Sequence, residues 1–241
     1  MAPRTSADLL RWGGDRLRVG SWRGDAHVAY IAPLPESGPP STDAVRRCTA
    51  LLRERGYNEA VTAALAASEA NAFLAAGFTV RERLHLLAHE LLAVDDPQTA
   101  SPHVTMRRAR RSDRAAALDV DARSFDPFWR LDPAGLDEAV DATPSSRFRV
   151  VDGATGVVGY AVSGRAGARG FLQRLAVDPG VRGRGYGSAL VLDGLRWMKR
   201  RGAARAMVNT QERNNDALRL YERLGFRLQP GGLAVMHCVL A

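Results

Sequence analysis

The chain is poor in cysteine, because Cys48 and Cys238 are the only two among 241 residues. Two isolated cysteines cannot build a disulfide framework or a cysteine-rich metal cluster. No apolar run approaches the roughly 20 residues that a membrane-spanning helix needs, and the first residues lack the apolar core of a secretory signal. These absences predict a cytoplasmic protein that binds no metal and does not enter a membrane.

Lysine is also nearly absent, and arginine carries almost all of the net charge of +8. The densest basic segment spans residues 107–111, but most arginines are scattered and interleaved with aspartate and glutamate. Such interspersed charge is typical of a solvated surface rather than of a nucleic-acid interface. We therefore do not expect a nucleic-acid partner, although a basic surface can attract an acidic ligand.

The most informative segment is a strand followed by a glycine-rich turn at the start of a helix. Residues 171–177 read as an apolar strand, Asp178 and Pro179 as a turn, and residues 182–188 as a glycine-rich entry to an amphipathic helix. Glycines allow positive φ angles and close approach of a ligand. The unpaired N–H groups of a first helical turn attract anions. This pattern predicts a site for a phosphate-bearing ligand.

Two common phosphate loops do not fit these residues. The Walker loop needs a lysine, but Lys199 is the only lysine in the chain, and the dinucleotide fingerprint needs a glycine where Ser188 stands. The residues instead form R-x-x-G-x-G, at Arg182, Gly185 and Gly187, directly after L-A-V-D-P. A short strand follows the helix, and then the sequence N-N-D-A-L-R-L-Y-E-R-L-G-F at residues 214–226.

This series of motifs resembles the GNAT superfamily of N-acetyltransferases over roughly residues 103–241. The resemblance implies an α/β (α+β) fold with a mixed, mainly antiparallel sheet flanked by helices. It also implies acetyl-CoA as co-substrate and a primary amine as acceptor, on a protein N-terminus, a lysine or a small molecule. With no cysteine in the motif region, we expect direct attack of the amine in a ternary complex.

The resemblance assigns the cofactor site to the end of the strand, the glycine-rich loop and one asparagine. In the family, the strand before the loop is bulged and splays from its neighbour, so that its backbone bonds the pantetheine arm. The asparagine can alternatively cap the helix that follows it. The residues carried over are Leu175, Ala176, Val177, Arg182, Gly183, Arg184, Gly185, Tyr186, Gly187, Ser188 and Asn214.

Tyr221 matches the family's general acid. A phenol with a reference pKa of about 10 is protonated at neutral pH and can give its proton to a departing thiolate. The alternative is a core aromatic, because Leu218, Tyr221 and Leu224 share one helix face. Some family members carry a basic glutamate twelve residues earlier, where this chain has Asn209. Asparagine cannot accept the proton, so no general base is assigned, and Asn209 is a candidate for substrate binding.

Three further candidates for substrate binding are Phe125, Phe128 and Trp129. They lie in one short loop between two predicted helices, which form a wall of the acceptor site in the family. Three aromatic side chains are more than a solvated loop needs. They either shape the acceptor pocket or pack the loop onto the N-terminal half.

The N-terminal half contains a fainter copy of the same pattern. Setting Phe78 on Phe226, an offset of 226 − 78 = 148, places Phe73 on Tyr221. This half has no R-x-x-G-x-G loop and no tyrosine at that position, so we expect it to be catalytically silent. We predict a degenerate GNAT-like domain at 1–94, a linker at 95–102 and a catalytic domain at 103–241. The alternative is an unrelated α/β extension.

A second class of function stays open at the level of sequence, a non-catalytic module that binds acyl-CoA. It is favoured by the missing base and by the degenerate first half. The sequence also leaves the oligomeric state open, with a homodimer among the alternatives.

Overall fold

A computed structural model describes residues 8–34, 37–94, 104–154 and 156–240. These residues form two compact units. The first unit comprises Met1–Leu86, Asn209–Arg213 and Gln229–Ala241, and the second comprises Leu87–Val208 and Asn214–Leu228. The C-terminal strand therefore belongs to the first unit, whereas the predicted boundary at residue 94 falls inside the second. The predicted linker at 95–102 lies outside the described residues.

The first unit contains six strands and two helices, and its strand order is β1-β2-β3-β4-β12-β5. The pair β3 and β4 is parallel, and the other neighbours are antiparallel. Residues 79–86 of β5 belong to this unit. The elements are β1 (Asp8–Trp12), β2 (Asp15–Ser21), β3 (Val28–Pro33), α1 (Thr42–Glu54), β4 (Glu59–Thr62), α2 (Ala67–Ala75), β5 (Thr79–Glu90) and, at the other end of the chain, β12 (Leu233–Val239).

The second unit contains a mixed, mainly antiparallel sheet flanked by helices. Strands β6 to β9 pair antiparallel in chain order, and β10 pairs parallel with β9. The predicted fold class is thereby confirmed. The elements are β6 (Met106–Arg108), α3 (Arg114–Ser124), α4 (Pro133–Asp141), β7 (Ser145–Gly153), β8 (Gly156–Ala166), β9 (Arg169–Val177), α5 (Tyr186–Arg200), β10 (Arg205–Gln211), α6 (Asn215–Arg223) and β11 (Arg227–Leu228).

Alternation along β8 explains why the second unit has helices on both faces of its sheet. Tyr160 and Val162 are fully buried in a core with α3 and α4, whereas Ala161 between them belongs to the core with α5 and α6. Successive side chains of a strand point to opposite faces, so a strand buried on both sides reads as a continuous apolar run. None of the helices in the described part of the chain is long and apolar enough to cross a membrane.

The ends of the first two helices of the second unit differ in how they are capped. The Asp132 side chain caps α4, because its carboxylate accepts a hydrogen bond from the Gly135 N–H at 2.7 Å. Asp113 is the N-cap residue of α3, but its side chain forms no capping hydrogen bond with that helix. Its carboxylate instead accepts from the Arg110 N–H at 2.6 Å and from the Arg107 guanidinium at 2.7 and 2.9 Å. These contacts hold the 3-10 turn of residues 111–113 that precedes α3.

Candidate active site

The glycine-rich loop adopts the backbone conformation that its sequence predicts. Gly183 has a φ of 78° and Gly185 a φ of 83°, and Gly185 is the N-cap residue of α5. Residues with a β-carbon rarely adopt this left-handed region, so glycine is required at both positions. The exposed side chains of Arg182 and Arg184 flank the turn.

Six consecutive backbone N–H groups of this loop are free to bind a ligand. The N–H groups of Val181, Arg182 and Ala189 donate to nearby carbonyls. Between them, the N–H groups from residue 183 to residue 188 find no acceptor within the described part of the chain. A helix N-terminus with unsatisfied donors and a favourable dipole is a ready anion site. The geometry thus fits a phosphate or pyrophosphate group.

An aspartate fixes the turn that leads into the loop. The Asp178 carboxylate accepts a hydrogen bond from the Gly180 N–H at 2.9 Å and pairs with Arg123 on α3 at 2.8 Å. These contacts hold the pKa of Asp178 below its usual value. The carboxylate is therefore ionised at neutral pH and ties the loop to α3.

Strand β9 is bulged and separates from β10 towards the loop. Its register with β8 shifts at Gln173, because Val162 faces Arg174 whereas Ser163 faces Leu172. Its pairing with β10 is confined to the segment from Arg169 to Phe171. Beyond that segment, no further pairing with β10 is found among the described residues. One edge of β9 beyond Phe171 is therefore unpaired next to the anion loop.

Alternation of hydrogen bonding decides which backbone groups of β9 face this opening. Asp178 donates to the Val158 carbonyl at 2.9 Å, so Ala176, two residues earlier, also directs its N–H and C=O towards β8. The backbone groups of Leu175 and Val177 point the other way, and the Val177 carbonyl accepts from the Ser124 hydroxyl at 3.1 Å. Leu175 and the Val177 N–H are therefore the groups available to a ligand.

Tyr221 lies on α6 with only 5 % of its surface exposed. Burial raises the pKa of its phenol well above the ordinary value, and the positive charge of Arg174 acts against this rise. Its ring packs against Phe226 at a centroid distance of 5.5 Å. No group of the described residues forms a hydrogen bond with its hydroxyl. Tyr221 is thus a core aromatic that also carries a protonated, unengaged hydroxyl.

Asn214 is the N-cap residue of α6, because its side-chain oxygen accepts a hydrogen bond from the Ala217 N–H at 3.1 Å. The helix cap, which the sequence left open as an alternative role for Asn214, is therefore present. The amide NH₂ group is not used by the cap, so a contact with a cofactor stays a prediction.

Two substitutions of Asn214 separate the cap from a ligand contact. We expect Asn214→Ala to lower the free energy of unfolding by about 1 kcal/mol, and Asn214→Asp to preserve it, because aspartate caps equally well. If the amide donates to acetyl-CoA, Asn214→Asp should nonetheless weaken binding about tenfold in calorimetric titration. Unchanged affinity in a stable Asn214→Asp variant would show that this residue is only a cap.

Asn209 is exposed on β10, in the segment that belongs to the first unit. Its role in substrate binding stays a prediction. Within the described residues, no carboxylate takes the place of the missing glutamate at this position of the strand.

The aromatic loop packs within the second unit. The Phe125 ring lies over the Arg174 guanidinium, 3.6 Å from its centroid, and Phe128 contacts Trp129 edge to face at 5.0 Å. Residues 127–129 form a single 3-10 turn. The position of Phe125 beside β9 fits a wall of an acceptor pocket, and the assignment of the three aromatics to substrate binding stays a prediction.

Sequence reasoning missed a buried polar cluster behind this loop. Arg174 on β9 donates from Nε and Nη2 to Asp121 on α3 at 2.7 and 2.8 Å, and from Nη2 to the Trp129 carbonyl at 2.7 Å. Asp121 also accepts from the Tyr160 hydroxyl at 2.5 Å and from the Leu131 N–H at 2.8 Å. The partners are up to 53 residues apart in sequence, so no local pattern predicts these hydrogen bonds.

The first unit repeats the end of α6 at the predicted offset of 148. The Phe78 N–H donates to the Phe73 carbonyl at 3.0 Å, as the Phe226 N–H does to the Tyr221 carbonyl, also at 3.0 Å. Gly77 and Gly225, at the equivalent positions, have φ angles of 95° and 87°. The two turns thus have the same geometry, and the interpretation of the N-terminal half as a copy stays a prediction.

The first unit differs from the second where the anion loop would be. Helix α1, which follows β3 as α5 follows β9, is capped by the Ser41 hydroxyl, which accepts from the Ala44 N–H at 3.2 Å. The Asp15 carboxylate binds the Ser41 N–H at 3.0 Å and its hydroxyl at 2.6 Å. A carboxylate thus lies at this helix N-terminus and would repel a phosphate.

A mixed sheet with a bulged strand, a glycine-rich helix start and a buried tyrosine occur together in the second unit. Residues 114–226 match the model of the acetyltransferase (GNAT) family. Residues 114–226 thus carry the pattern of a GNAT acetyltransferase domain.

Its relatives include mycothiol acetyltransferases. The protein of Thermobispora bispora is 29 % identical over 93 % of this chain and 81 % of the relative. That of Salinispora arenicola is 38 % identical over 47 % of this chain and 34 % of the relative. Other mycothiol acetyltransferases are covered over 15–53 % of their length.

Solved structures share the fold at low sequence identity. A tandem GNAT protein from the clavulanic acid biosynthesis pathway superimposes with a TM-score of 0.66, at 14 % identity, over 97 % of this chain and 82 % of that one. A GCN5-related N-acetyltransferase from Kribbella flavida has a TM-score of 0.63, at 15 % identity, with coverages of 96 % and 88 %. At these identities the likeness concerns the fold alone.

Proposed function

We propose that the protein transfers the acetyl group of acetyl-CoA to a primary amine by direct attack in a ternary complex. The observation that carries this proposal is the free run of N–H groups from residue 183 to residue 188, next to the open edge of β9 and on the same unit as Tyr221. Anchoring, positioning and proton donation are the contributions that such a transfer asks of a protein.

Each group of the site has a separate role in the proposed transfer. The N–H groups of the loop bind the pyrophosphate, with Arg182 and Arg184 adding charge-assisted contacts. The backbone of Leu175 and the Val177 N–H bind the pantetheine arm along the open edge of β9. This placement holds the thioester between β9 and α6. Tyr221 donates a proton to the departing thiolate, and its high pKa keeps it protonated until that moment.

The amine enters the site as the free base or loses its proton to water, because no residue of this chain is assigned as general base. The first unit takes no part in cofactor binding, since Asp15 and Ser41 fill the helix N-terminus where a phosphate would lie.

The relatives indicate which acceptor to examine first. Because several of them are mycothiol acetyltransferases, the deacetylated form of mycothiol is one candidate, and an alanyl peptide and a lysyl peptide represent protein acceptors. Incubation of each amine with acetyl-CoA and the enzyme, followed by mass spectrometry, tests the proposal. We expect a gain of one acetyl group on one class of amine. Formation of CoA without any acetylated amine would contradict transfer to an amine.

A further inference from the structure

In the ion pair between Arg174 and Asp121, one edge of the guanidinium has no part in the cofactor binding and proton transfer proposed above. The Asp121 carboxylate is fully buried, and both of its oxygens accept two hydrogen bonds each. The guanidinium, by contrast, uses only Nε and Nη2. Its Nη1 group, with two N–H donors, has no acceptor within the described residues. Both oxygens of the carboxylate are thus fully used as acceptors, whereas the guanidinium keeps two unused N–H donors.

The free edge of the guanidinium remains accessible. The Arg174 side chain is 10 % exposed, and its Nη1 is not among the buried polar atoms that lack a partner. Asp121 and the Trp129 carbonyl hold the other edge of the guanidinium in place. An accessible pair of donors on an otherwise fixed guanidinium is available to a ligand.

The location of Arg174 points to the acceptor rather than to the cofactor. It follows the bulge of β9 and lies under the Phe125 ring of the aromatic loop. The group thus stands where the aromatic loop meets the open strand.

The chemistry of the Nη1 group limits which ligand atoms can bind to it. Nη1 can only donate, so its partner is an oxygen acceptor. Because Asp121 already balances the charge of Arg174, a neutral hydroxyl or carbonyl oxygen fits better than a second carboxylate, which would leave a surplus negative charge buried.

We propose that Arg174 determines acceptor specificity, with Nη1 donating a hydrogen bond to a hydroxyl or carbonyl oxygen next to the reacting amine. This inference rests on the proposed function and narrows its acceptors to oxygen-bearing amines. Asp121, Tyr160 and the Trp129 carbonyl are positioning groups that hold the guanidinium in one orientation.

A matched pair of amines tests the proposal. 2-Aminocyclohexanol and cyclohexylamine differ only by a hydroxyl beside the amine. We expect the wild type to favour the amino alcohol in kcat/KM by about tenfold or more. In Arg174→Lys the ratio should approach one, because an ammonium group cannot bind Asp121 with two donors and also reach the ligand. Arg130→Lys changes an arginine of the aromatic loop, which donates to the Phe125 carbonyl, and should keep the ratio.

The double variant Asp121→Asn/Arg174→Met covers the case in which Arg174→Lys does not fold, because it removes both charges together. An equal loss of rate with both amines would overturn the proposal and leave a purely structural ion pair. If neither amine is acetylated, the proposed function fails for these acceptors, and titration of the Arg174 Nε–H resonance decides the inference. A shift with 2-aminocyclohexanol alone supports it, and no shift with either amine overturns it.

Discussion

Acetyl-CoA binding is expected to fall by at least about 100-fold in Gly185→Glu, which corresponds to roughly 2.7 kcal/mol. Gly185 is the N-cap residue of α5 with a φ of 83°, and its own N–H is one of the six free donors. A glutamate there strains the turn and places a carboxylate where the pyrophosphate binds. Calorimetric titration of acetyl-CoA into the variant measures the loss.

A control at the opposite end of the same helix separates this effect from backbone strain. Gly202 follows α5 with a φ of 82°, and a β-carbon there would meet no atom within 4 Å. Gly202→Glu therefore introduces the same strain and the same charge far from the loop, and its affinity for acetyl-CoA should match that of the wild type. If both variants bind equally well, the loop is not the pyrophosphate site.

The second large effect is expected for Tyr221→Phe, in which kcat should fall by about 10²-fold or more. Acetyl-CoA affinity should stay unchanged, because the hydroxyl acts only on the departing thiolate. The variant should be at least as stable as the wild type, since the lost hydroxyl has no hydrogen-bond partner among the described residues and the ring keeps its contact with Phe226. Turnover, affinity and thermal unfolding are measured on the same preparation.

Tyr57→Phe is the matched control, because it removes one phenolic hydroxyl from the first unit, and its turnover should equal that of the wild type. A Tyr221→Phe variant with full turnover would assign proton donation to another group. Binding of acetyl-CoA with no turnover in the wild type would instead favour a non-catalytic acyl-CoA-binding module.

Local patterns made the anion loop and the end of α6 predictable. A glycine at a positive φ and a helix N-terminus can each be recognised from the residue types at a few consecutive positions, as at Gly183 and Gly185. The repeat at Phe73 and Tyr221 was visible for the same reason, since each helix ends in Gly-Phe before a strand. The bulge and splay of β9 came from the family resemblance, and the pairing of β9 with β8 and β10 agrees with it.

Contacts between distant segments were not predictable. Strand β12 pairs with β4 and β5, between 149 and 180 residues away, and so joins the C-terminus to the first unit. Strand β1 is mostly exposed, so it lacks the apolar alternation by which a half-buried strand is recognised in sequence. The Asp121 and Arg174 pair looks in sequence like two ordinary surface charges. Only the fold reveals that the carboxylate is fully buried.

Acetyl transfer from acetyl-CoA to an amine is tested most directly by a single reaction in which released CoA thiol and acetylated amine are counted together. We expect one thiol for each acetylated amine, with both products appearing at the same reduced rate in Tyr221→Phe and both absent in Gly185→Glu at limiting acetyl-CoA. Thiol release that continues unchanged in either variant, or without an amine product, would contradict it.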